Sequence, residues 1–149
     1  MRRRKSREFA LQILFSLENQ PGGLPKADSS AASGIVSNYL QNFGPRGFEE
    51  SADVPYLLRL LQGILRDLAA LDTEIEKHSE HWKLYRMTKI DRNILRLGAE
   101  ELKSFEDIPP RVTLDECVEL AKRFGTDDSS AFVNGILDKL KQALGRKDA

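Results

Sequence analysis

The opening stretch MRRRKSREFALQILF places Arg2, Arg3, Arg4, Lys5 and Arg7 within seven positions and runs directly into apolar residues at helical spacing. Guanidinium groups neutralise phosphates and pair with them through two parallel hydrogen bonds, and an exposed aromatic ring stacks on an unpaired base. At about 100° per residue, Arg4, Arg7, Leu11 and Phe15 fall on one stripe, opposite Phe9, Ile13 and Leu17. That stripe would meet both needs of single-stranded RNA binding. The competing reading turns Leu11 and Phe15 toward a second helix and leaves the arginines as a solvated tail. Cations at a helix N-terminus also oppose the helix dipole by roughly 0.3–1 kcal/mol each, which Glu8 only partly offsets. The end is therefore expected to fray until an anionic ligand engages it.

Other candidate chemistry is sparser. His78 and His81 stand near Glu74 and Glu80, a grouping that could suggest metal ligands, but the segment is polar and a solvated helix face explains it. No GxxxxGK[ST], HExxH, paired CxxC or GxSxG pattern occurs, so catalysis is the minority reading, and no metal or cofactor is expected. Cys117, the only cysteine, cannot form an internal disulfide and sits in a helical pattern as a small buried residue.

These residues need a scaffold. The 149 residues carry 23 Lys and Arg against 23 Asp and Glu, so the basic start is a local choice within a chain of zero net charge. One compact domain with a real apolar core is the default at this length. Glu8, Gln12, Ser16 and Glu18 interrupt the apolar residues after the arginines, unlike a signal-peptide core, and the two glutamates also suit a transit peptide poorly. A soluble cytosolic protein is expected, with no membrane contact.

Periodicity predicts helices throughout. The first spans Ser6 to about Asn19, and after the loop QPGGLPKADSSAASG a short pattern runs from Ile35 to Phe43. Beyond a second loop, GPRGFEESADVP, the run YLLRLLQGILRDLAALD reads as one central helix, extended or followed by the charged TEIEKHSEHW. Thr88 and Asp91 form a capping pattern ahead of Ile90, Ile94, Leu97, Leu102 and Phe105, and Pro109 and Pro110 stop that helix. Thr113 and Glu116 repeat the capping pattern, Gly125 supplies a helix end, and Asp127 or Asp128 caps a last helix burying Val133, Ile136, Leu137, Leu140 and Leu144. With no strand-like alternation, the fold class is all-α, with about seven helices.

Three blocks, RRKSREFALQILF, KIDRNILRLGAEEL and VTLDECVELAKRFGTDDSSAFVNGILDKL, resemble the NusB family of bacterial transcription antitermination factors. The long third block is the specific part, while 21–34 and 44–55 carry no strong family pattern. The resemblance implies one RNA-binding domain over 1–149, built from two packed helical subdomains, taken here as approximately 1–80 and 81–149. It also implies no catalysis, and binding of the boxA segment of nascent ribosomal RNA together with the ribosomal protein NusE, in a complex that joins the elongating RNA polymerase. By position, Arg3, Arg4, Lys5 and Arg7 match the family's basic motif, which Arg2 extends, and Phe15 its Tyr or Phe position. Asp91 and Phe132 match its RNA-contacting surface, and Asp128 a position near its NusE and RNA surface. Local chemistry offers alternatives for each of the last three: a cap for Asp91, core for Phe132, a cap for Asp128. Some members form homodimers that cover a binding surface, and the residues leave monomer and homodimer both open. Two other functions stay open, a separated RNA-binding module of a ribosomal RNA modification system and a protein-only helical adaptor.

Overall fold

Helices account for the regular structure in the computed structural model, which describes residues 2–25, 29–43, 52–80 and 82–147. Among the described residues there are seven α-helices and no strand: α1 (Arg2–Glu18), α2 (Ser29–Phe43), α3 (Val54–Arg66), α4 (Leu68–Lys77), α5 (Lys89–Ser104), α6 (Pro110–Phe124) and α7 (Ser129–Ala143). A short 3-10 turn, Leu84–Arg86, lies between α4 and α5. The all-α expectation holds, and two compact units emerge, residues 1–68 and 69–149.

In the first unit, α1 and α2 both pack on α3. The Asp53 carboxylate starts α3 by accepting a hydrogen bond from the Tyr56 N–H at 3.2 Å, and Pro55 sits in the first turn, where a backbone donor is not needed. Leu57, Leu60, Leu61, Ile64 and Leu65 then enter the core, each contributing about 1.5–3 kcal/mol by burial. The expected single central helix is in fact two. It stops at Arg66, whose guanidinium is held by the adjacent Asp67 carboxylate at 3.1 and 3.2 Å, while the Asp67 N–H still donates to the Gly63 carbonyl at 2.9 Å. Leu65, Leu68 and Leu71 keep helical spacing across the break, so periodicity alone could not reveal it.

The second unit packs α5, α6 and α7 against one another. Within it, Asp72 of α4 grips Arg96 of α5 through two hydrogen bonds of 2.8 and 3.0 Å. Thr88 caps α5 as expected, accepting from the Asp91 N–H at 3.1 Å. The expected Thr113 cap fails. α6 begins three residues earlier at Pro110, where a ring that fixes φ and lacks an N–H suits the first turn, and the buried Thr113 hydroxyl donates to the buried Glu101 carboxylate at 2.8 Å. Neither aspartate caps α7 with its side chain either. The Ser129 hydroxyl instead accepts from the Thr126 N–H at 2.9 Å. Cys117 is fully buried against the α5 backbone. After α7, Gly145 takes a φ of 67° and turns the chain, so that the Arg146 guanidinium donates to the Leu102 carbonyl at 2.6 Å and to the Ile108 carbonyl at 2.9 Å. These are carbonyls at and beyond the end of α5, where a helix leaves acceptors without partners.

Candidate nucleic-acid interface

The basic end of α1 is helical rather than an irregular tail. Helical geometry begins at Arg2, four residues before the expected start, and the turn preceding α3 holds it there. Asp53 donates its N–H to the Ser6 hydroxyl at 2.8 Å, Arg2 donates to the Ala52 carbonyl at 2.8 Å, and Arg3 pairs with the Asp53 carboxylate at 3.5 Å. That carboxylate also compensates the dipole, which four cations in the first turn would otherwise leave opposed. Arg2, Arg3, Arg4 and Lys5 are exposed, with Lys5 paired to Glu8 at 3.3 Å.

The projected stripe is divided. Phe15 is 36% exposed, as an aromatic ring offered to a ligand should be, but Arg7 is only 3% exposed and Leu11 2%. The Arg7 guanidinium lies over the Tyr56 ring, 5.3 Å from its centroid, so its place is against the core rather than out toward a phosphate. Packing covers a wider arc of α1 than the face of Phe9, Ile13 and Leu17, and takes in Arg7 and Leu11.

The second unit carries a cavity of about 260 Å³ lined by Trp82, Arg86, Met87, Thr88, Asp91, Asp128 and Phe132. It unites three residues expected at the site: Asp91 from the first turn of α5, Asp128 from just before α7, and Phe132 from α7. The Thr88 cap places Asp91 in the first turn of α5, 8% exposed, and among the described residues its Oδ1 has no hydrogen-bond partner. Asp128 makes no side-chain capping bond, so the local explanation for its carboxylate falls away. Phe132 follows it by four residues, one helical turn along the same face, and is half-buried at the cavity rather than inside the core.

Trp82 and Arg86 were missed in the sequence. Trp82 is 51% exposed, and next to the cavity Tyr85 is 74% exposed with the Arg86 guanidinium 5.9 Å from its ring centroid. The segment holding them is fixed from α4: Glu76 accepts from the Leu84 N–H at 3.2 Å, and Ser79 donates to the Trp82 carbonyl at 2.9 Å. The signal was present as W-K-L-Y-R, aromatic rings interleaved with cations, but it lay beside a charged helical run. Flat apolar walls, carboxylates that accept N–H donors and a guanidinium that donates suit a planar heterocycle bearing amino and carbonyl groups. A buried oxygen without a partner costs about 1–3 kcal/mol, a cost that a donating ligand removes.

The described members of the histidine grouping do not converge. His78 faces Glu74 at 3.8 Å, Glu80 pairs with Lys139 at 3.2 Å, and His81 lies outside the described residues. Among the described residues no three His, Cys, Asp or Glu side chains gather to hold a metal ion, and no helix is long and apolar enough to cross a membrane.

Comparison with known proteins agrees with the residue blocks. The NusB family model matches residues 4–142. A transcription antitermination protein NusB from Sorangium cellulosum is 44% identical over 146 residues, which cover 98% of this chain and 96% of that protein. The structure of T. maritima NusB superposes with a TM-score of 0.75 at 34% identity, covering 95% of this chain and 92% of that one. A structure of antitermination factors NusB and NusE in complex with double-stranded RNA shares the fold, with a TM-score of 0.66 at 24% identity over 94% of this chain and 96% of that one. The chain belongs to the NusB family of transcription antitermination proteins.

Proposed function

We propose that this chain binds RNA, without catalysis, as a cytoplasmic antitermination factor that acts with NusE on the boxA segment of nascent ribosomal RNA in the elongating RNA polymerase complex. The observation that carries the reading is the cavity that gathers Asp91, Asp128, Phe132, Trp82 and Arg86, a set suited to an unstacked base. Family membership supports the partner and the process. Arg3, Arg4 and Lys5 supply phosphate contacts and Phe15 a stacking surface, whereas Arg7 acts from within the core.

Binding to a boxA-like strand and to a scrambled strand, with and without NusE, tests this directly. Preference for the boxA-like strand, strengthened by NusE, is expected. About three phosphate contacts should give a log–log dependence on salt with a slope near −2, taking about −0.7 per single-strand contact. Equal weak binding to both strands, indifferent to NusE, would leave the protein-only adaptor as the better account.

The cavity makes a separate statement. Asp91→Ala should weaken RNA binding by about 1–3 kcal/mol, since it removes a charged acceptor. It should change the stability of the RNA-free protein by less than about 1 kcal/mol, because relief of the buried oxygen offsets the lost helix-dipole contact. Chemical denaturation beside the titration separates the two, and a large stability loss with unaltered affinity would make Asp91 a structural residue only.

A further inference from the structure

We propose that Tyr56 is a positioning residue for RNA binding, one that does not meet the ligand but orients Arg3, which does; this rests on the RNA-binding reading of α1 given above. Tyr56 lies in the first turn of α3 and is 3% exposed. Two guanidinium groups meet its ring, Arg3 at 4.8 Å and Arg7 at 5.3 Å from the centroid. Four residues apart on α1, these two side chains share a face, which is why one ring can serve both. They differ in burial: Arg7 is 3% exposed, while 43% of the Arg3 side chain is open to solvent. Arg7 fixes the ring against α1, and the ring then offers its outer part to Arg3.

The Asp53 carboxylate completes the device. It accepts from the Tyr56 N–H at 3.2 Å and lies 3.5 Å from Arg3 Nε, so the group that starts α3 also sets the ring and the cation in register. A guanidinium stacks on an aromatic face without giving up the donors around its edge, which an ammonium cannot do. An arginine already held in this way loses less side-chain freedom when a phosphate arrives, and affinity rises by the entropy not lost. The ring's negative face supplies the attraction.

The test is a double-mutant cycle on the full chain, read by titration with a boxA-like RNA strand. Tyr56→Phe keeps the ring and should bind within about twofold of the wild type. Replacement of Tyr56 by pentafluorophenylalanine keeps nearly the same shape while reversing the ring's charge distribution, and should weaken binding about fivefold relative to Tyr56→Phe. In an Arg3→Ala background only the Arg7 contact remains on the ring, so the same exchange should weaken binding by less than about twofold, and with Arg3 retained the exchange should leave the salt slope unchanged. An equal loss in both backgrounds would make Tyr56 a core residue with no positioning role, and no loss in either would overturn the proposal as well. A wild-type protein that does not prefer the boxA-like strand would overturn the RNA-binding reading itself, an outcome distinct from preference without coupling.

Discussion

Asp72→Ala is expected to destabilise the second unit by about 3 kcal/mol, the lower end of what removing one member of a buried ion pair costs. The Arg96 side chain is only 6% exposed, and its Nε and Nη2 donate to the two Asp72 oxygens at 2.8 and 3.0 Å. Its Nη1 donates to the Asn93 side-chain oxygen at 2.9 Å. Removing the carboxylate takes two charge-assisted hydrogen bonds from a desolvated cation, and much of the cost lies in the desolvation left uncompensated rather than in the lost attraction. The 24% exposure of the Asp72 side chain admits some water, which keeps the expected loss from the upper end. Asp72→Asn retains an acceptor and should lose less. Replacing both partners, Asp72→Leu with Arg96→Met, should come close to neutral because no charge is left behind. Urea unfolding followed by helical circular dichroism measures all three, and an unmoved midpoint for Asp72→Ala would mean that the pair contributes no more than a surface contact.

Gly98→Val should cost a similar amount, about 3 kcal/mol, for a steric reason. A Cβ at this position of α5 would stand 2.7 Å from Leu137 Cδ1 and 3.0 Å from Cys117 Sγ, and both of those residues are fully buried. Relief would require the Leu137 and Cys117 side chains to shift within the buried crossing, or α6 or α7 to move away from α5. Gly135 of α7 provides the internal comparison, since a Cβ there meets nothing within 4 Å. Gly135→Ala should therefore stabilise by about 0.4–1 kcal/mol, through helix propensity and a less disordered unfolded chain. Opposite signs for the two substitutions would establish that the α5–α6–α7 crossing sets the requirement for glycine. A neutral Gly98→Val would mean that the crossing is looser than the distances indicate.

Helix identity was legible because apolar spacing is a property of the chain itself, and each of the seven helices overlaps a periodic run, although α2 begins at Ser29, inside the stretch that reads as a loop. Helix ends were less so. Thr88 was read correctly because its hydroxyl has no competing partner, whereas Thr113 carries the same pattern and serves Glu101 instead, a residue of another helix. The start of α1 escaped because its stabilising groups, Ala52, Asp53 and Tyr56, lie some 50 positions away in the chain. For the site, family resemblance brought Asp91, Asp128 and Phe132 to notice, and their shared cavity became visible only once α5 and α7 were packed. Trp82 and Arg86 stayed hidden because an irregular segment has no periodicity to mark its exposed side.

The Arg146 clasp bears on how the molecule is made. Its two acceptors, Leu102 and Ile108, precede it by 44 and 38 residues, and everything between them forms α6, α7 and their connections. On a chain emerging from the ribosome in order, α5 and α6 leave the tunnel well before this guanidinium does. The corner after α5 therefore keeps uncapped carbonyls throughout that interval, and closing it is among the last steps of assembly in the second unit. A released chain carrying Arg146→Ala should keep the helices of the finished protein with that corner still open to solvent exchange.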